Sequence, residues 1–527
     1  MPMRLSRLNR SSIIFAVLLS AMVLAGVLIM GYDMKLGPWA FSDSVEYIAS
    51  AQSLAEEGRL GIYSPDGSFM PLSLHPPLYS LLIAPFFSLR VDVFDGIKWL
   101  QLVLFCASIV VISLGIFRFT RNMWYALSAG ALFTVSIMIV RVYDGAMSEG
   151  LYIFLSLVNL MLLVSFLVKP SYWRLAGAAV AAGLAGLTRY IGVVNIGLGL
   201  AMLLLFAPKP WKRRIFAVLG YAVLSALPLA VWFISTGSTG SRSMNASLDI
   251  GAATLGFLNT VVRSFGEWLP FAANWFATPV RQTSAVAAVI LVTLVLFVLV
   301  LVKLNKPGAE KDRGMVAILC GSAIYVAGYL LFLWISLFSS IPPDYFERMF
   351  TPTQPFVYLL FLGVFFAAIR SFRLPKWLWV IPLAAVLVLG RSNWIYTDTW
   401  IRSRHSSAMG YNIPAWRNAE LTDAVQTLPD GMALYSNDPD GVLVNTRRFP
   451  YELADLDATQ WTPAAGLEEA SAAVIVFSEP LSKVKAGDEG QALEKLGFEK
   501  DEVEPFVLTG DGAIYLFGAS GAGEGTP

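Results

Sequence analysis

Cysteine and histidine are nearly absent from this 527-residue chain, with two of each. Cys106 and Cys320 both fall inside apolar runs, which excludes a disulfide framework or a zinc cluster. His75 and His405 alone cannot build a histidine-rich metal site. Charge is also scarce: 14% of residues are Asp, Glu, Lys or Arg and the net charge is +1, so there is no electrostatic footprint for nucleic acid. Nor is there an internal repeat of the kind that builds the inverted halves of secondary transporters.

Hydrophobic residues make up 56% of the chain, far from the soluble average. This composition defines a polytopic α-helical membrane protein. Apolar runs near 12–31, 99–117, 123–140, 150–168, 215–234, 283–302, 315–338, 351–369 and 377–390 approach the roughly 20 residues that cross about 30 Å of hydrocarbon. The stretch 175–207 is too long for one span and is interrupted by Arg189, so it reads as two short spans meeting at "LTRY". About eleven transmembrane helices are therefore expected. The first follows Arg4, Arg7 and Arg10 as a signal peptide would, but it nears spanning length and no A-x-A cleavage pattern follows, so it reads as a retained anchor.

Basic residues collect in alternate loops: Arg4, Arg7 and Arg10; Arg118 and Arg121; Lys169 and Arg174; Lys209 to Arg214; Lys303 to Arg313; Arg370 to Lys376. These six segments hold 18 of the 38 basic residues. Positive charge marks the cytoplasmic side, so the N-terminus is expected there, and "DSVEY", "RVYDGAMSE", "LTRY" and "DYFERM" all fall on the outer face of a cell (inner) membrane. Residues 1–390 then form a transmembrane catalytic domain with long outer loops at 32–98 and 235–282. From residue 391 charge rises and strand-like runs appear in "GMALYSN", "AAVIVFS" and "GAIYLFG", the pattern of a small extracytoplasmic α/β domain, 391–527. Its Gly-rich tail "GASGAGEGTP" reads as disordered.

Chemistry concentrates on that outer face. Asp43 and Glu46 share a helix face, with Tyr47 one turn beyond Asp43. Helix capping by Ser42 or Asp43, with Glu46 closing a capping box, would explain them without function. Capping does not explain the second acidic pair, Asp144 and Glu149, nor the cations Arg141, Arg189, Arg348 and His75. Charges at membrane depth are expensive and usually functional.

The layout resembles the membrane-embedded glycosyltransferases of the GT-C superfamily, near its protein mannosyltransferase and aminoarabinose transferase branches (glycosyltransferase family 39-like). The resemblance rests on "SDSVEY" after the first span, "HPPLY" at 75–79, "AMSEGLYIFL" with Glu149 at the fourth span, "AGLTRYIG" and "ERMFTPTQPFVYLL", and covers about residues 10 to 370. Two departures bear on substrate identity: Ser148 precedes Glu149 where relatives have an Asp-Met pair, and His75 stands where some carry Lys. The resemblance implies Asp43 as catalytic base, Glu149 as a second catalytic carboxylate, and a single displacement with inversion. Arg348, Arg189, His75, Glu46, Tyr47, Tyr79, Arg141 and Asp144 are the candidate substrate-binding residues. The resemblance leaves a metal open, since some members use one and others do not; Asp43 and Glu149 could share Mg²⁺ or Mn²⁺.

Nucleotide sugars stay in the cytoplasm, so an outer-face enzyme must draw its sugar from the membrane. A polyprenyl-phosphate-linked sugar leaves as an anion, which calls for cations at the phosphate and suits the arginine fork. The acceptor would be a glycolipid, glycan or protein hydroxyl. A transporter or flippase for lipid-linked or amphipathic solutes is the alternative, but it should carry ionisable residues near the midplane of several spans, and here they cluster at span ends.

Overall fold

The computed structural model describes residues 10–66, 68–207, 210–236, 250–268, 279–304, 313–338, 347–372, 375–455, 461–478, 493–494, 498 and 503–519. Arg4, Arg7, Lys209, Lys306, Lys311, Arg373, residues 237–249 and 269–278 of the 235–282 loop, Asp344 to Phe346 and the Gly-rich tail after 519 lie outside the described residues. The chain divides into two compact units: residues 1–35, 74–79 and 98–405, and residues 36–73, 80–97 and 406–527.

In chain order the elements begin with α1 (Arg10–Asp33), α2 (Ser42–Glu57), β1 (Gly61–Tyr63), β2 (Phe69–Pro71), α3 (Leu78–Ser88) and α4 (Val93–Thr120). There follow α5 (Met123–Val135), α6 (Ile137–Tyr143), α7 (Glu149–Val168), α8 (Tyr172–Thr188), α9 (Val193–Phe206), α10 (Trp211–Thr236), α11 (Ile250–Trp268) and α12 (Pro279–Leu304). The helical series ends with α13 (Arg313–Ser336), α14 (Glu347–Phe350), α15 (Gln354–Ser371) and α16 (Val380–Ser406).

Eight helices among the described residues are long and apolar enough to cross a membrane, or nine if the bent pair α5–α6 is one span. Each of the eleven expected runs forms a helix, counting the bent pair as one, and the two that miss spanning length are the halves of 175–207. That stretch forms two short helices broken at Arg189, as expected, α8 with 17 residues and α9 with 14, at and below the lower end of spanning length. The last helix departs in the other direction and runs on to Ser406. Its later charges are paired within the first unit, Arg402 with Asp398 at 2.8 Å and Arg404 with Asp144 at 3.6 Å, so the helix persists beyond residue 390, where the domain boundary had been expected.

Helix α7 and the span Arg348–Ser371 are the most buried of the set, and α7 packs on α8 and α13. Polar side chains join these helices: Asn195 Nδ2 donates to Ser156 Oγ (3.0 Å), Tyr221 Oη to Asn159 Oδ1 (3.1 Å) and Tyr325 Oη to Tyr152 Oη (3.1 Å). In hydrocarbon, where apolar contact gives no preference for protein over lipid, such bonds fix helix partners. The α5–α6 break is a bend of 63° at Ser136. Polar groups there are taken up by side chains, Thr397 donating to the Val135 carbonyl (2.9 Å) and Gln354 to Ser136 Oγ (2.8 Å).

The second unit adds α17 (Pro414–Arg417), α18 (Glu420–Thr427), β3 (Ala433–Ser436), α19 (Pro439–Thr446), β4 (Tyr451–Glu452), β5 (Trp461–Pro463), β6 (Ala472–Phe477), β7 (Val507–Thr509) and β8 (Gly512–Ala519). The sheet order is β4-β3-β6-β8-β5, with β7 also on β8; β4, β3 and β6 are parallel and β8 runs antiparallel to its neighbours. Every residue of β6 is buried, the continuous apolar run of a strand covered on both faces. Ala473, Ile475 and Phe477 pack with Trp416, Leu421 and Val442, and Ala472, Val474 and Val476 with Leu493 and Val503. Helix α2 belongs to this unit: Val45 and Ala49 pack on Leu443 of α19.

Candidate functional site

In the first unit the chemistry gathers at Glu149, the first residue of α7. Its Oε1 lies 3.0 Å from Arg189 Nη1 and 3.4 Å from Arg348 Nε, with the carboxylate side chain 2% exposed and the arginines 21% and 27%. A carboxylate so buried persists because it is paired. Arg189 also donates to Ser148 Oγ at 3.2 Å. It reaches this point because the chain leaves α8 in an extended conformation at Arg189 and re-enters helix through a tight turn at Tyr190–Gly192. Gly192 is required there, since a Cβ would run into the backbone of Ala185 and Gly186. Arg348 stands on the short α14, steadied by Tyr329 Oη on the Met349 carbonyl at 2.9 Å. His75 contributes a further attraction to Glu149. The trio of Glu149, Arg189 and Arg348 carries one net positive charge, the balance that holds an anion.

Arg141 and Asp144 are drawn elsewhere. Trp400 Nε1 donates to Asp144 Oδ2 at 2.7 Å, Arg404 lies 3.6 Å from the same oxygen, and the Arg141 guanidinium sits 4.5 Å above the Trp400 ring. Fully buried Asp33, at the end of α1, packs against Asp144. Sequence reasoning missed Trp400 and Arg404 because it ended the last span at 390. Their i, i+4 spacing beside Asp398 and Arg402 was the available sign of a continuing helix. Tyr79 is fully buried, with Gln101 Nε2 3.0 Å from its hydroxyl.

The second unit holds Asp43, Glu46 and Tyr47. The N-cap of α2 is Phe41, Ser44 Oγ reaches back to its N–H at 3.2 Å, and Asp43 lies in the first turn. Tyr47 is buried at 1% exposure. Glu46 is pushed up to about 7 by burial, and next by the charges of Asp43 and Asp440. Asp440, at the start of α19, is pushed up to about 6 by burial and then by Asp438, Glu452 and Asp43. The sheet domain therefore brings carboxylates toward α2, which no local pattern in the sequence revealed.

Among the described residues no group of three or more His, Cys, Asp or Glu side chains is placed to hold a metal ion. Both guanidinium groups meet Oε1 of Glu149, which the sequence offered as one ligand, and its buried Oε2 makes no hydrogen bond among the described residues.

This bundle, with its C-terminal mixed-sheet unit, shares its fold with solved membrane-protein structures. The chain superposes on ArnT from Cupriavidus metallidurans in the apo state with a TM-score of 0.56 at 12% identity, covering 96% of this chain and 98% of that one. The structure of ArnT bound to undecaprenyl phosphate matches with a TM-score of 0.55 at 12% identity, over 95% and 97%. The arabinofuranosyltransferase AftD from Mycobacteria matches with a TM-score of 0.54 at 16% identity, over 95% of this chain and 40% of AftD. No protein-family model and no curated protein matches the chain. At these identities the likeness is one of fold.

Proposed function

We propose that this protein is a glycosyltransferase that takes a sugar from a polyprenyl-phosphate donor and passes it to an acceptor hydroxyl on the extracytoplasmic face of the cell membrane. The observation that carries the reading is the pairing of Arg189 and Arg348 on the buried Glu149, within a fold shared with a protein crystallised with undecaprenyl phosphate. In this reading the two arginines hold the donor phosphate and stabilise the charge it gains as the bond from C1 to the phosphate oxygen breaks. Glu149 aims both guanidinium groups, and His75 adds to the same field. Asp43 accepts the proton of the acceptor hydroxyl as its oxygen bonds to C1, so the electron pair of the broken bond departs with the polyprenyl phosphate. Attack opposite the leaving group inverts the anomeric carbon. No step is routed through a metal.

Two measurements test the proposal together. The purified full chain should bind undecaprenyl phosphate, and mass spectrometry of lipid-linked sugars and envelope glycans should show a donor accumulating and a glycan losing a sugar when the gene is deleted. A chain that binds no undecaprenyl phosphate, with lipid-linked sugars and glycans unchanged by deletion, refutes it.

A further inference from the structure

We infer that Gln101 is a positioning residue whose buried amide fixes the turn that delivers Glu149 to its two arginines. The inference rests on the donor-phosphate reading of that centre and concerns how the centre is held. Residues Asp144 to Ser148 link α6 to α7 at the end of a membrane helix, where a buried carbonyl without a donor is costly. Gln101, on α4 and fully buried, supplies the donor: its Nε2 lies 2.7 Å from the Met147 carbonyl and 2.9 Å from the Gly145 carbonyl. Both carbonyls only accept, so the nitrogen and not the oxygen of the amide must face them. The Tyr79 hydroxyl at 3.0 Å completes the ring of oxygens around that nitrogen, which gives the tyrosine of "HPPLY" a part in the same clamp.

Two further features show that the turn is seated against α4. A Cβ on Gly150 would fall 2.5 Å from Gln101 Oε1 and 3.0 Å from the Tyr143 ring, so only glycine lets the amide lie against the first turn of α7. Two helical turns beyond Gln101, Ser108 Oγ is bonded to Tyr143 Oη at 2.8 Å and anchors the residue before the turn. The clamped carbonyls lie two and four residues before Glu149. Its Oε1 must serve guanidinium groups at 3.0 and 3.4 Å, and a shift of about 1 Å is enough to spoil such an alignment.

A residue that only joined helices would weaken the fold without acting through Glu149, and the two cases separate in a double-mutant cycle. Full chain in lipid nanodiscs is compared as wild type, Gln101→Met, Gly150→Ala, Glu149→Gln and Gln101→Met/Glu149→Gln. Undecaprenyl phosphate is the binding probe, and hydrogen exchange is followed peptide by peptide. Gln101→Met should speed exchange of residues 144–150 by about tenfold while later turns of α7 keep their protection. It should weaken undecaprenyl phosphate binding about fivefold and add no further loss in the Glu149→Gln background. Gly150→Ala, which displaces the amide without deleting it, should give the same signature and serves if Gln101→Met fails to fold. Unchanged exchange at 144–150, or losses that simply add, overturns the inference. If the wild type binds no undecaprenyl phosphate the donor reading fails, and the exchange measurement still decides the role of Gln101.

Discussion

Glu149 and Arg348 meet at 3.4 Å with the carboxylate 2% exposed, so an arginine from the late part of the chain and an acid from its first third share one buried site. Arg348 is 27% exposed, and its main expected effect is on binding, with little on stability. Arg348→Ala should weaken undecaprenyl phosphate binding by the roughly 1.5–3 kcal/mol of a charged hydrogen bond, and Arg348→Lys should recover part of that. Titration of the folded variants in nanodiscs measures it, and equal affinity in Arg348→Ala would reduce the residue to a lipid-surface anchor.

Asp43 allows a sharper test because asparagine caps a helix about as well as aspartate but is not a base, and the N-cap of α2 is Phe41. Asp43→Asn should leave unit stability nearly unchanged while turnover falls by about 10²–10⁴-fold, the usual loss for a general base. Assays with polyprenyl-phosphate sugars report this, and full turnover in the asparagine variant would remove Asp43 from the chemistry.

Glu46 and Asp440 make a prediction about pH. In the folded chain Glu46 titrates at about 7 against an ordinary 4.5, and Asp440 at about 6 against 3.8. Between these values the folded state retains protons that the unfolded state has released, so stability falls as pH rises from about 4 to about 7 and then levels. Hydrogen exchange of β6 and α2 in the full chain, from pH 5 to 8, should show that decline. Glu46→Gln should flatten its upper half, and an unaltered slope in this variant would contradict the assignment.

The loop charges predict the sidedness. Arg59 and Glu420 are exposed in the second unit and Tyr172 is 79% exposed at the start of α8. Cysteines at the first two positions should react with an impermeant thiol reagent added outside spheroplasts, and one at Tyr172 should not. Outside labelling at 172 would reverse the topology.

The sequence made the helical class legible because membrane spans are long one-sided signals, and Arg189 stood out as a charge inside an apolar run. Glu149, Arg189 and Arg348 could be nominated for the same reason, but their convergence could not be read from spacing. The helix end at 406 was hidden because Arg402 and Arg404 look like surface residues until Asp398 and Asp144 are seen beside them. Gln101 was passed over as one polar residue at the edge of a span. The acids around Asp43 were illegible for another reason, since they come from the opposite end of the chain.

The break at Arg189 also bears on how the chain is made. Glu149 stands at the head of α7, and its first arginine partner follows only after α7 and α8 have been synthesised. Arg348 comes much later, roughly ten to thirty seconds behind Arg189 at about 5–20 residues per second. During that interval Arg189 is the one of the two arginines in place, and a nascent chain lacking it would leave the acid at α7 without either guanidinium while half of its spans were still unmade. Loss of Arg189 should therefore lower the yield of inserted protein more than the loss of Arg348, although both arginines contact the same oxygen in the finished molecule.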